Sequence, residues 1–507
     1  MTAVLPCDVI CGWESGHINE SGCLNDNSLP TGFSVVTPPS PPTGIAMGNY
    51  CLLVDSIAME GGAQLMPIYP EGPITAAVLA RGLSVLWRPA TNPTVLGSFP
   101  RNIIAFRGRS SGGGYGVAWG EDKKLKVVDL EGVDGGGIYS TLATSANAYD
   151  AADGVWRAIA TRYEKTVEGV GGSGSGAIWV AVYGLSRALI EEFVGRRTTA
   201  LPGTAGQAVI IGSAATGASW HLDNLYVTRG SGYYPPIAPS VVATPPTSTS
   251  TNATQWMRDY DSGTANAAVT TTNTTLTDTR ENFATNGYFA TGWVGAVVTC
   301  NAKTMTVTSV TTTTNPNDTL NGTAWSGGGN PGNGKAYVLR FDNATNEWPT
   351  LDEIPPNDST DFILKNTFAT HRQFYGHAAG LVPAGNNVLA CAVMTRVYAA
   401  DAMGTQFQFG ADMKLTTQIN GRQVSPGQIL NQVGPGQMWY FQVYVASSAK
   451  PGGGAWTVSD VDNVEMGNSG QSFSGAAEGR CSQVILYAAY GPDWPLRGPI
   501  QRESQSY

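Results

Sequence analysis

Ionised side chains are scarce in these 507 residues: Asp, Glu, Lys and Arg make up 13% of the chain, against about 25% in an ordinary soluble protein. Long surface helices need Glu and Lys on their wet face, so a helical bundle is excluded. Positive charge is scarcer still. The net charge is −9, and the densest basic spots, Lys123-Lys124-Leu125-Lys126 and Arg196-Arg197, are small and separate. A nucleic-acid partner needs a basic stripe, so none is expected. No run of about 18 apolar residues occurs, so no membrane-spanning helix is expected. The first residues, Met1 to Asp8, lack the basic and apolar regions of a secretory signal, which predicts synthesis in a cytoplasm. What the chain does have is Gly (63 residues) and aromatic rings: 13 Trp, 20 Tyr and 14 Phe. Rings in that number exclude disorder and call for several cores. Pleated sheets with Thr and Ser on wet faces and Gly at turns answer both demands, and an all-β chain of several sandwiches is predicted.

Seven Cys are present, at 7, 11, 23, 51, 300, 391 and 481. Cys7, Cys11, Cys23 and Cys51 fall early enough to admit a disulfide in an oxidising medium. Cys7, Cys11, His17 and Cys23 also compose a nominal zinc set, although their spacing lacks the paired knuckles of common zinc modules. Buried free thiols in strands are the third reading, and it suits Cys300 and Cys391.

The texture changes along the chain. Residues 1–233 alternate β-like runs with Gly-rich turns. Val85–Trp87, Asn102–Phe106, Lys126–Val128, Trp156–Ala160 and Ala177–Tyr183 read as strands. Ser186–Val194 reads as a short helix, a strand or a loop. Residues 234–251, rich in Pro and Thr, read as an extended linker. Residues 252–345 form a Thr-rich module with a core drawn from Phe283, Tyr288, Phe289, Trp293 and Tyr337. Its Thr304–Thr308 alternates polar and apolar with the period of a half-buried strand. Residues 346–507 read as a second sandwich. There Val388–Met394 is a continuous apolar run, the pattern of a strand buried on both faces. Phe407–Phe409, Met438–Val445 and Gln483–Tyr490 supply further strands, and Asn463–Gly467 reads as a strand ending at a turn.

Three stretches of the first segment carry a family resemblance. Gly12-Trp13-Glu14-Ser15-Gly16 looks like an opening strand. Gly154–Tyr163 followed by Ile178–Gly184 looks like a central hairpin. Ala218-Ser219-Trp220-His221-Leu222-Asp223-Asn224-Leu225-Tyr226-Val227 looks like a closing strand. Together, over about residues 9 to 230, they resemble the concanavalin-A-like, laminin-G-like jelly roll. The whole string of jelly roll, Thr-rich module and second sandwich resembles tailed-bacteriophage virion proteins, and Gly454–Gly467 has the character of their C-terminal modules. The resemblance implies a virion protein that binds host glycans or neighbouring virion proteins and self-associates, with a trimer as the expected assembly.

Candidate chemistry is thin. Gly108-Arg109-Ser110-Ser111-Gly112 matches G-x-S-x-G, but the following glycines are a poor helix start, so a hairpin loop is expected. Asp460, Asp462 and Glu465 have a spacing near that of sugar-cleaving carboxylates, while a solvated strand edge is the simpler reading. Glu121-Asp122 and Glu191-Glu192 are adjacent and would point opposite ways in a strand. Asp223-Asn224 and Asn25-Asp26-Asn27 are possible calcium ligands, although Asx residues more often serve turns. Tyr115, Trp119 and Tyr233-Tyr234 flank loops and are candidates for stacking on a sugar ring, against the commoner role of core residues. No residue is assigned as catalytic, cofactor-binding or metal-binding. The expected function is non-enzymatic: a tail-, neck- or capsid-attached fibre or spike component with a lectin-like surface. A purely architectural decoration or collar protein and a glycan depolymerase acting through Asp460 or Asp462 are the alternatives.

Overall fold

A computed structural model describes residues 7–16, 32–41, 43, 45–55, 66–68, 80–94, 102–107, 114–130, 140–164, 175–200, 208–211, 218–229, 235–237, 239–249, 260–263, 265–280, 283, 293–311, 318–341, 351, 352, 354, 363–365, 371–399, 407–424, 440–472 and 479–492. Strands dominate, as the shortage of charge predicts, and they form five sheets.

The first segment is a sandwich of an eight-stranded and a six-stranded sheet. The long central strands Ala80–Thr91, Arg157–Glu164, Ser175–Tyr183 and Ser219–Arg229 build the larger sheet, all antiparallel. Side chains alternate across a strand, so Leu83, Val85 and Trp87 face the six-stranded sheet together with Ile159, Tyr163, Ile178, Val180 and Val182. Trp119 meets Trp87 edge-on at 5.4 Å and Trp220 at 6.5 Å in this core. Ser186–Val194 is resolved as a turn leading into the strand Leu189–Ala200. The helical alternative fails because Gly184 and Arg187 close a hairpin, with Arg187 N donating to Gly184 O at 2.8 Å and Gly184 N to Ala188 O at 2.9 Å.

The second sandwich stacks two five-stranded sheets over a core that includes Val393, Val397, Phe409, Met413, Met466 and Leu486. Its inner sheet also packs on the back of the eight-stranded sheet. Ala390, Ala392, Met394, Ile485, Tyr487 and Ala489 form this seam with Cys7, Ile10 and Tyr226. The result is a stack of four β layers. It accounts for the unbroken apolar run at Val388–Met394, because alternate residues of that strand enter the sandwich core and the seam. The alanines let the layers approach closely, and each large apolar side chain buried there contributes roughly 1.5–3 kcal/mol.

Of residues 234–251, read as a linker, two stretches are built into this second sandwich. Ser240–Thr244 pairs with Gly479–Gly491 in the inner sheet, and Ser248–Thr249 pairs with His371–Gly376 in the outer one. Pro245 and Pro246 fall between the two strands, where the chain crosses from sheet to sheet and no ladder N–H is needed. The Pro content therefore marks a crossing rather than a free tether.

The Thr-rich segment forms a seven-stranded sheet with its own core, including Phe283, Trp293, Met305, Val307, Trp325 and Tyr337. Met305 and Val307 are buried while Thr304, Thr306 and Thr308 are exposed. Tyr288 and Phe289 lie outside the described residues.

The expected strand edge at Asp460–Glu465 is instead a short helix, Val458–Asn463, and the strand Glu465–Ser472 begins where one was expected to end. The helix starts because Thr457 and Asp460 form a capping box. The Thr457 hydroxyl accepts from Asp460 N at 3.1 Å, and the Asp460 carboxylate accepts from Thr457 N at 2.9 Å.

Candidate functional site

A cleft of about 520 Å³ opens where the two sandwiches meet, lined by Ile45, Ala46, Arg187, Ser240, Pro383, Asn386, Tyr490, Gly491 and Pro492. Five separate stretches of chain contribute, so the cleft exists only in the docked arrangement.

One wall is the segment that carries Ile45 and Ala46 across the back of the eight-stranded sheet. Ile45, packed with Trp156, Trp179 and Tyr183, anchors it there. Its backbone is fixed at four further points. Asn224 donates its amide to Ala46 O at 2.9 Å, and Ala46 N donates to the Ser240 hydroxyl at 2.9 Å. Trp156 donates its indole N–H to Pro39 O at 2.9 Å, and the Glu14 carboxylate accepts from Asn49 N at 2.8 Å. Glu14 lies so close under the segment that a Cβ on Gly48 would fall 1.9 Å from its carboxyl carbon. The Gly12–Gly16 stretch thus supplies a carboxylate that ties the segment down.

The opposite wall comes from the second sandwich. Tyr490, at the end of the strand Gly479–Gly491, shares a hydrogen bond with Ser240, and burial raises its phenol pKa. The Asn386 amide donates to Pro383 O at 3.1 Å, which shapes the loop leading into Asn387–Ala399. Arg187 closes the cleft from the hairpin of the first sandwich. It is half-buried, and burial lowers its pKa. Arg187 is the one charged residue of this lining, beside two hydroxyls, one carboxamide and two proline rings.

The residues singled out in the sequence lie elsewhere. Tyr115 and Trp119 are buried in the first core, while Tyr233-Tyr234 lie outside the described residues. Asp460 caps its helix and pairs with Lys450 at 3.0 Å, and Asp462 accepts from Gly380 N at 2.8 Å. Glu465 pairs with Lys414. All three acids hold local structure and do not converge on an open site. Glu191 accepts from Ala146 N at 2.7 Å and from the Tyr149 hydroxyl, tying the edges of the two sheets together. Asp122 pairs with Lys126 at 3.2 Å.

Asp223 and Asn224 are buried at a bulge against Ala80–Thr91. Asn224 has φ 49, and its N–H is received by the Asp223 carboxylate at 2.6 Å, so the pair shapes backbone. The G-x-S-x-G stretch and Asn25–Asn27 lie outside the described residues. The strands on either side of the former, Asn102–Arg107 and Gly114–Trp119, pair antiparallel.

Of the nominal zinc set, His17 and Cys23 are outside the described residues. Cys7 faces the seam and Cys11 the first core, so the two cannot bind one ion. Cys51 belongs to a third cluster, and none of Cys7, Cys11 and Cys51 is in a disulfide. Among the described residues no group of three potential ligands forms a metal site. His377 is held between Ala378 O and Val461 O, each at 2.9 Å. His221 is half-buried near Trp156, and burial, aided by the Arg88 charge, lowers its pKa to about 4. No described helix is long and apolar enough to cross a membrane.

No family model matches the chain, and no curated protein does. Solved structures give distant likenesses. An endo-β-1,4-glucuronan lyase from the fungus Trichoderma reesei is 12% identical, with a TM-score of 0.30 over 45% of this chain and 97% of that one. Peanut lectin is 10% identical, with a TM-score of 0.22 over 41% of this chain and 93% of its own. Lectin II from Ulex europaeus is 11% identical, with a TM-score of 0.21 over 42% and 97%.

Proposed function

We propose that this chain is a non-catalytic adhesive component of a tailed-bacteriophage particle and that it binds host-surface glycans. The observation that carries the binding role is the inter-sandwich cleft of about 520 Å³, within the roughly 300–1,000 Å³ of small-molecule sites. Hydroxyl and amide groups converge there beside proline rings, a mixture suited to a ligand that is hydroxyl-rich on its edges and C–H-rich on its faces. A non-catalytic role is supported by the positions of Asp460, Asp462 and Glu465, each engaged in holding a helix, a loop or a neighbouring lysine. The particle assignment rests on the sequence resemblance and on the modular β build, and a homotrimer is the assembly proposed with it.

Two measurements test the reading. A glycan array probed with the purified chain is expected to give binding that Tyr490→Ala and Ser240→Trp abolish. A density map of the host particle is expected to place the chain on a tail, neck or capsid appendage. An array without signal, joined with tight binding to purified capsids, would replace adhesion by an architectural role. Turnover of a bound glycan would replace it by catalysis.

A further inference from the structure

The cleft differs from the rest of the molecule in the sign of its charge. The chain carries 38 acidic against 29 basic residues, yet the lining holds one arginine and no carboxylate. Resting on the glycan-binding reading above, we propose that the cleft takes an acidic saccharide, with Arg187 receiving the sugar carboxylate.

Three observations converge on Arg187. The first is its backbone. With φ 66 it occupies the left-handed region that glycine or asparagine fills more readily. Two hydrogen bonds of the Gly184–Ala188 turn hold it there, so the position tolerates strain while keeping a long cationic side chain at the cleft. The second is its surroundings. Arg187 lines the cleft together with Ile45, Ala46 and the proline rings and is half-buried, and burial lowers its pKa. A partly desolvated cation gains more from an incoming carboxylate than an exposed one. The planar fork of arginine also matches a carboxylate through two parallel hydrogen bonds. The third is what stands across the cleft. The Ser240 and Tyr490 hydroxyls are held in place by each other and by Ala46 N, and the Asn386 amide is oriented by Pro383 O. They offer a sugar ring preset partners for its hydroxyls while Arg187 fixes its charged end.

The test is calorimetric titration of the full-length chain with two matched pairs of probes: oligogalacturonate against its methyl ester, and sialyllactose against lactose. In at least one pair the acid is expected to bind about tenfold tighter or more. Arg187→Gln is expected to erase that preference with an unchanged melting temperature, and Arg187→Lys to retain part of it. Asn386→Asp, which sets a negative charge in the cleft, is expected to weaken the acid by a larger factor than its neutral partner. Equal binding of acid and neutral probes by the native chain, or a preference that survives Arg187→Gln, would overturn the inference and leave neutral-glycan binding standing. No binding of any probe, with no signal on the array, would overturn both. Should Arg187→Gln misfold, Arg187→Lys decides: an acid preference undiminished by that variant would overturn the inference.

Discussion

Cys7 and Cys11 share one five-residue strand, yet Cys7 faces the seam between the sandwiches and Cys11 faces the core of the first. A bulge after Cys7 displaces the alternation, so neighbours in sequence serve different interiors. Six described cysteines are buried and in no disulfide, and burial raises the thiol pKa of Cys51, Cys300 and Cys391. They are expected to resist a thiol reagent in native buffer and to react once guanidinium is added. Timed thiol titration checks this. Rapid native labelling of Cys7 or Cys11, located by mass spectrometry, would show the seam or the core to be open.

Arg81 and Asp8 form a buried ion pair at 2.6 Å, with side chains 2% and 0% exposed. Removing one partner takes the counter-charge from a buried ion, so Arg81→Met is expected to cost about 3–5 kcal/mol in chemical denaturation. The Arg81→Met, Asp8→Leu double variant is expected to recover most of that loss.

The seam predicts cooperative melting. Both sandwiches bury apolar side chains in it, so scanning calorimetry is expected to show them unfolding in one transition, apart from that of the Thr-rich sheet. Met394→Ala leaves a cavity between the layers and is expected to cost about 2–5 kcal/mol in that shared transition. Separate melting of the two sandwiches would show that the seam does not couple them.

His221 makes stability fall with acid. Its folded pKa, lowered to about 4, lies below the ordinary 6.5. Between these values the unfolded chain binds the extra proton. Its contribution is therefore complete above pH 6.5 and is lost as pH falls towards 4. The loss is on the order of 2 kcal/mol after allowance for partial burial. Denaturation curves at stepped pH are expected to show this decline, and His221→Gln to flatten it.

Asp460 is predicted to matter for the helix and not for glycan chemistry. Asp460→Ala removes half of the capping box and is expected to cost about 1 kcal/mol while leaving array binding unchanged.

The sheets were legible because alternation and continuous apolar runs are local properties. Thr304–Thr308 and Val388–Met394 announce one-sided and two-sided burial in their own residues. The cleft was not legible, since Ala46, Arg187, Ser240, Asn386 and Tyr490 come together only through sheet pairing across hundreds of positions. Ser186–Val194 left helix, strand and loop open because its composition suits each, and the hairpin closed by Gly184 and Arg187 decided it. The Pro-rich stretch misled for a similar reason. Proline reports that an N–H is missing from a ladder, and both a tether and a crossing between sheets satisfy that condition. The spacing of Asp460, Asp462 and Glu465 suggested a site because it ignored Thr457, whose hydroxyl sets the local backbone.

The strands at 240–249 place part of the second sandwich upstream of the Thr-rich sheet, and the rest follows downstream of it. That sheet is therefore an insert, with both its entrance and its exit anchored in one host framework. Such a cassette can be lengthened, exchanged or deleted during evolution without disturbing the cleft, provided the two flanking strands keep their partners. Relatives of this chain would then diverge most sharply between residues 250 and 362 while preserving the paired edges on either side.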